Sequence, residues 1–271
     1  MTQISYLGCD GLPLFAKVIV GSDADGVGPL VLMHGGGPDH RSLLPLAESL
    51  VTKGSVILPD VRGYGRSICR DPSRHTWRQY ADDVISLLDW LGSERAIIGG
   101  AGLGGTIAMR TAIAHPERVG AVILVSVEDI EDDEAKAAEM RFMDAFAERV
   151  RTGGIDAGWA PILGDLAPVI GEMVQEAIPR ADAASVIAAA AIGRDRSFRD
   201  INELAAISAP TLVFSGMDDR HPRSVAEEVA RIVPRGELAE AALSSDIQNA
   251  EDFARAFAPA INKFIKNLDV Q

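Results

Sequence analysis

Cysteine is scarce in this sequence. Only Cys9 and Cys69 occur, far apart and without C-x-x-C spacing, so neither a disulfide framework nor a thiolate metal cage is indicated, and no metal is expected. Basic residues are in deficit: 26 Lys and Arg face 39 Asp and Glu, a net charge of −13 whose field repels nucleic acid and anionic membranes. No uninterrupted apolar run approaches the roughly 18 residues of a spanning helix. The opening Met1-Thr-Gln-Ile-Ser-Tyr lacks a basic start followed by an apolar stretch. These absences lead to the expectation of a cytoplasmic monomer or homodimer that binds a small molecule, with no cofactor.

The chain has enough apolar residues, 47%, for a sizeable core. Its 271 residues suit one α/β domain carrying an insertion. Ile4 to Cys9 and Leu12 to Val20 flank Asp10-Gly11 and predict an opening hairpin. Wholly apolar runs follow at Leu30 to Met33, Ser55 to Leu58, Ala96 to Ile98, Ala121 to Val125 and Thr211 to Phe214. Such runs suit parallel strands covered on both faces, and their alternation with helical patterns predicts an α/β sheet of about eight strands. Thr76-Trp-Arg-Gln79 predicts a capping box opening a helix that Gly92 ends. From 128 to 207 the strand rhythm gives way to Ala-rich helical text, read as a lid inserted between core segments 1–127 and 208–271. Its opening acids, Glu128 to Glu134, are read as a solvated first helical turn favoured by the helix dipole.

The stretch Gly99-Gly-Ala-Gly-Leu-Gly-Gly105 admits two readings. From Gly100 it is G-x-G-x-x-G, a dinucleotide-binding turn, with Glu128 as the ribose acid; an NAD(P)-binding enzyme is the corresponding alternative. As G-x-S-x-G it is a nucleophile elbow whose serine has become Gly102. Two upstream segments have no place in a dinucleotide fold: Met33-His34-Gly35-Gly36-Gly37-Pro38 and Asp60-Val-Arg62-Gly63-Tyr64-Gly65-Arg-Ser67. With His115-Pro-Glu-Arg-Val119 and Pro210-Thr-Leu-Val-Phe-Ser-Gly216-Met-Asp-Asp219, they make the chain resemble the α/β-hydrolase superfamily, specifically its lidded esterase, epoxide-hydrolase and carbon–carbon hydrolase branch.

The resemblance implies oxyanion donors at the backbone N–H groups of Gly36 and Leu103, with Gly35 and Gly37 beside the substrate. It implies a catalytic acid at Asp219, or second, after the preceding strand, at Glu128 or Asp129. Gly102 rules out covalent attack from the elbow. The expected histidine after the last strand, between Leu238 and Ala250, is also missing, and no histidine follows His221. His221 lies in the loop of the acid, which is expected to place it beside the acid rather than across from the elbow. Of the other histidines, His34 and His115 are read as structural, His75 as solvent-facing, and His40 as a candidate base bordering the pocket mouth. Asp60, Arg62 and Tyr64 are read as a bracing network, and Trp159 as a lid residue that covers a ligand or packs the lid.

An oxyanion hole without a serine suits elimination, decarboxylation, retro-aldol cleavage or cyclisation of a carbonyl compound, with a base from Asp219, His40 or the substrate. Alternatives are a ligand binder on the same fold, and an esterase-type hydrolase inactivated at Gly102.

Overall fold

The computed structural model describes residues 1–21, 28–50, 52, 54–128 and 130–268. The predicted hairpin forms as β1 (Thr2–Leu7) and β2 (Pro13–Ile19). The chain continues through β3 (Leu30–Met33), α1 (Leu44–Ser49), β4 (Val56–Pro59), α2 (Trp77–Leu91), β5 (Ala96–Ala101), α3 (Leu103–Ala114) and β6 (Val119–Val125). After a helical stretch come β7 (Thr211–Ser215), a helix at Arg223–Ile232, β8 (Gly236–Ala242) and a last helix at Ala250–Leu268. The eight strands form one sheet in the order β1-β2-β4-β3-β5-β6-β7-β8, parallel from β4 onward and antiparallel at the opening hairpin.

Alternation along the apolar strands builds two cores. Val31, Met33, Ile57, Ile98, Val122, Leu124 and Val213 face α2, α3 and Arg223–Ile232. Their neighbours Leu30, Leu32, Leu58, Ile97, Ile123, Leu212 and Phe214 face α1 and Ala250–Leu268. Each fully buried Leu, Ile, Val or Phe contributes about 1.5–3 kcal/mol, so the sheet is held on both faces and its strand ends form a rigid rim. Of the predicted capping box at α2, half forms. Thr76 Oγ1 accepts from Gln79 N at 3.1 Å, but the Gln79 amide turns to Cys9 and Asp83 rather than back to Thr76. Gly92 ends the helix in the left-handed conformation, as expected.

Between β6 and β7 the chain forms α4 (Asp133–Trp159), α5 (Pro168–Ala177) and α6 (Ala183–Ala189) with short 3₁₀ turns. Phe146, Val150, Ile162, Val186 and Ala190 give this segment a small core of its own. It is fastened to the sheet by Arg180 Nε donating to Asp39 at 2.9 Å, Cys69 N donating to Ser185 Oγ at 2.8 Å and Trp77 N donating to Asp195 at 2.9 Å. The two helices beyond β7 are hereafter α7 (Arg223–Ile232) and α8 (Ala250–Leu268).

The acidic run is not uniformly a solvated first turn. Asp132 caps α4, with Asp133 and Glu134 in its first turn, but Glu131 is buried against Lys136 at 2.9 Å and Glu128 turns inward. Asp129 lies outside the described residues. No helix among the described residues is long and apolar enough to cross a membrane.

Candidate active site

The ends of β3, β5, β6 and β7 converge on a partly open cavity of about 130 Å³, lined on its far side by α4, α5 and the turn between them. The volume matches that of a cavity able to hold a single aromatic ring. Phe142, Met143, Trp159, Ile162, Ile170 and Met173 supply apolar walls. Gly35, Gly36, Gly102, Leu103, Ser126, Glu128, Lys136, Glu139, Asp218, Arg220 and His221 bring polar groups to it. Trp159 lines the cavity and packs edge-on against Phe146 with ring centroids 5.1 Å apart.

The glycine turn is shaped by close packing. A Cβ on Gly100 would lie 2.4 Å from the backbone of Gly104, and one on Gly104 would lie 2.3 Å from Met33 O. The turn therefore presses α3 against β5 and the end of β3, which brings the N-terminus of α3 beside the Gly35-Gly36 loop. Gly102 has φ +49° and ψ −117°, a conformation costly for any side-chain-bearing residue, and its N–H donates to Val125 O at 3.0 Å. Leu103 opens α3, so its N–H is one of those without an intrahelical partner. His34 fixes the opposite loop, its Nδ1 meeting Gly35 O at 2.8 Å while Nε2 accepts from Val61 N at 3.0 Å. Gly36 and Leu103 both line the cavity.

At position 102 a Cβ would lie 3.0 Å from Glu128 Oε1 and 3.7 Å from His221 Nε2. The imidazole of His221 therefore reaches the elbow, contrary to the expectation from its loop. The loop after β7 curls back through hydrogen bonds from His221 N to Asp218 Oδ1 and O, both 3.0 Å, and this turns the ring over Gly102. Its Nδ1 bonds Asp218 Oδ1 at 2.6 Å and its Nε2 bonds Glu128 Oε2 at 3.1 Å. Since carboxylates only accept, both ring nitrogens donate, and His221 is an imidazolium.

The electrostatics agree. Burial alone would lower the His221 pKa, but the Glu128 charge and the Asp218 bond outweigh it and push it up to about 10. Burial likewise opposes ionisation of Glu128, yet the His221 charge holds its carboxyl below the usual value. Arg220 approaches Glu128 at 3.6 Å and Glu139 at 3.2 Å, with its guanidinium over the Phe142 ring. Burial raises the Glu139 carboxyl despite that neighbour.

Three sequence expectations are corrected by these contacts. Asp219 is exposed, and the carboxylate on His221 belongs to Asp218, one residue earlier. His40 neither borders the cavity nor is free to act as a base: it is buried beneath it, Nδ1 held at 2.7 Å by Asp60 Oδ1, which also accepts from His40 N at 2.8 Å. His75 is not solvent-facing but buried between Tyr80 Oη at 2.8 Å and Cys69 O at 3.1 Å. Gly37 stands behind the cavity wall, where a Cβ would come within 2.6 Å of the Trp159 ring. Asp60, Arg62 and Tyr64, read as one bracing network, have separate partners: buried Arg62 is bidentate to Asp83 at 2.7 and 2.8 Å and to Asp10 at 2.8 and 2.9 Å, Asp60 accepts from His40 and Arg66 N, and Tyr64 lines the cavity.

Asp218, Ser126, Lys136, Glu139 and Arg220 were not singled out from the sequence. The Asp218-Asp219 pair offered two equivalent carboxylates, and the others carry no motif.

The profile of the Alpha/beta hydrolase family matches residues 30–256. The chain belongs to that family. A 2-hydroxymuconate semialdehyde hydrolase from Pseudomonas sp. (strain CF600) is 34% identical over 103 residues, 36% of this chain and 35% of that protein. The match thus spans about a third of that relative's length. A thermophilic esterase from Thermogutta terrifontis, solved with malate bound, superposes with a TM-score of 0.80 at 25% identity, covering 99% of this chain and 100% of that one. A hydrolase from Pseudomonas aeruginosa PA01 gives a TM-score of 0.81 at 22% identity over 97% and 98%. The family sheet thus extends over essentially the whole chain, while the glycine turn belongs to the hydrolase elbow rather than to a dinucleotide fold.

Proposed function

We propose that this α/β hydrolase family member acts without an acyl-enzyme, moving a proton on a small, largely apolar carbonyl compound in a lyase-type reaction such as elimination, decarboxylation or retro-aldol cleavage. The observation that supports it is the Glu128 carboxylate 3.0 Å from the Cβ position of Gly102, where a nucleophile's hydroxyl would otherwise stand. The substrate carbonyl accepts from the N–H groups of Gly36 and Leu103, which stabilise an enolate-like charge. In elimination Glu128 takes the proton from the carbon adjacent to the carbonyl as the leaving group departs. In retro-aldol cleavage it takes the β-hydroxyl proton as the carbon–carbon bond breaks, and in decarboxylation CO₂ leaves and the resulting enolate is protonated. In the resting state its pairing with His221 makes it a weak base; a substrate seated between them separates the pair, and burial then makes the carboxylate more basic. His221 Nε2 supplies the compensating proton to the leaving oxygen or carbon, while Asp218 holds the ring through Nδ1. The helical segment 128–207 serves as the lid that excludes water.

The test is hydrogen–deuterium exchange at the methyl group of acetophenone in D₂O, followed by NMR. The wild type is expected to accelerate exchange, and Glu128→Gln to lose about 10²–10⁴-fold, the usual contribution of a positioned base. A fluorophosphonate probe should leave the wild type unlabelled. Covalent labelling, or exchange indifferent to Glu128, would refute the proposal.

A second reading, hydrolysis by a water that Glu128 activates, draws on the hydrolase names of the relatives. It calls for p-nitrophenyl ester turnover without a covalent intermediate. Saturable ketone binding with neither exchange nor turnover would make the protein a binder.

A further inference from the structure

Ser126 combines two unfavourable features at one position. It is the only non-glycine among the described residues with positive φ, +55°. Its side chain is 5% exposed, and its Oγ has no hydrogen-bond partner among the described residues. The backbone leaves it little freedom, since Ser126 N donates to Phe214 O at 3.2 Å and the preceding Val125 O receives the N–H of Gly102. This position joins β6 to both β7 and the elbow.

Neither feature serves the fold. Glycine would adopt the same φ without strain, and alanine would bury no unsatisfied hydroxyl. What serine adds is one O–H donor and two lone pairs on the wall of the cavity, on the strand end that also carries Glu128 and against which Gly102 packs. Strained residues gather where a ligand is gripped, and a buried polar group without a protein partner calls for one from the ligand.

We infer that Ser126 Oγ is a substrate-binding group that recognises a second oxygen close to the reacting carbonyl. The substrate class is then an apolar, single-ring-sized carbonyl compound bearing a neighbouring hydroxyl or keto group. This rests on the carbonyl-binding reading given above and narrows it. A site that hydrogen-bonds a substrate oxygen also rejects analogues lacking that oxygen, because its own polar group is then left unpaired. Ser126 is accordingly a specificity residue, and the proton transfer itself stays with Glu128 and His221.

The experiment is calorimetric titration of the full chain with a matched pair, acetophenone and 2-hydroxyacetophenone, for wild type, Ser126→Ala and Ser126→Gly. The wild type should bind the hydroxyketone about 5- to 10-fold more tightly, and this preference should fall to about unity in both variants. Binding of acetophenone itself should be no weaker in either variant and up to a few-fold tighter, because no hydroxyl is then left unpaired, and Ser126→Gly should melt no lower than the wild type, since relief of the positive φ offsets the added chain freedom. A preference absent in the wild type, or one that survives Ser126→Ala, overturns the inference, as does Ser126→Gly melting well below the wild type with its preference intact. Acetophenone exchange separates the two failures. Glu128-dependent exchange with no hydroxyl preference sinks the role of Ser126 alone, whereas absence of binding by either ketone sinks both.

Discussion

Gly102→Ser tests the geometry of the elbow directly. The Cβ it adds points at Glu128 Oε1, 3.0 Å away, and at His221 Nε2, 3.7 Å away. A hydroxyl one bond further on comes within hydrogen-bond reach of that nitrogen, with Asp218 already on the other side of the ring at 2.6 Å. All three parts of a Ser-His-Asp relay would then be present, with the histidine delivered from the loop after β7. Activity is not expected from this change alone. With Glu128 holding His221 near pKa 10, only about one imidazole in a hundred is neutral at pH 8 and able to accept the serine proton. Adding Glu128→Gln removes the larger of the two attractive charges and lets the pKa fall toward the ordinary value near 6.5. Fluorophosphonate labelling at pH 8, read as mass added at position 102, should therefore rise about 100-fold from the single to the double variant. Labelling of the single variant should itself climb through pH 9–10. The strained φ will reduce stability by about 1–3 kcal/mol, so folding is verified by circular dichroism. A folded double variant that takes no label at any pH up to 10 would refute the placement of His221 over the elbow.

Three further outcomes follow from the same contacts. Burial lowers the His75 pKa to about 4, so the folded state binds fewer protons than the unfolded chain between that value and about 6.5. Its contribution is complete above about pH 6.5 and falls away by about 3 kcal/mol as the pH drops toward 4. The melting temperature of His75→Gln should decline less steeply over this window, and equal slopes would show that His75 does not govern it. Arg62→Ala strands Asp83 and Asp10 and should cost about 3–5 kcal/mol in urea unfolding; a loss below about 1 kcal/mol would mean the charges are solvated. Gly37→Ala drives a methyl into the Trp159 ring at φ +102° and should cost about 1–3 kcal/mol while weakening ketone binding, with unchanged binding showing that Trp159 does not shape the cavity.

The sheet was legible in the sequence because buried parallel strands have no solvent face. Runs such as Leu30 to Met33 and Ala121 to Val125 lie between two cores, so they are apolar throughout and stand out from the helical text. The elbow was legible for a steric reason, since glycines 100 and 104 are required by backbone contacts that no larger residue allows. The polar site was much less so. Asp218 and Asp219 are chemically identical in sequence, and only the turn made by the His221 and Arg220 N–H groups on Asp218 decides which one faces the ring. His40 and His75 stand in sequence stretches that read as loops, where exposure is the ordinary expectation, but His40 opens a 3₁₀ turn and each is drawn inward by a partner distant in sequence or on another element, Asp60 and Tyr80 respectively. Ser126 has no signature at all, because its distinguishing property is a backbone angle.

The charge state of His221 links these observations to the chemistry. An imidazole facing a hydroxyl through Nε2 and a carboxylate through Nδ1 is a base, because only one of its neighbours is negative. Replace the hydroxyl by a carboxylate and the same ring, without moving, is held as an acid near pKa 10. Glu128 makes that replacement from the end of β6, reaching the space that Gly102 leaves beside the elbow. A side chain at 102 and the Glu128 carboxylate therefore draw on the same space beside His221. A serine at 102 would compete with Glu128 for Nε2. Gly102 and Glu128 together leave an imidazolium and a carboxylate 3.1 Å apart at the edge of the cavity. The proton transfer proposed above would draw on such a donor and acceptor held side by side.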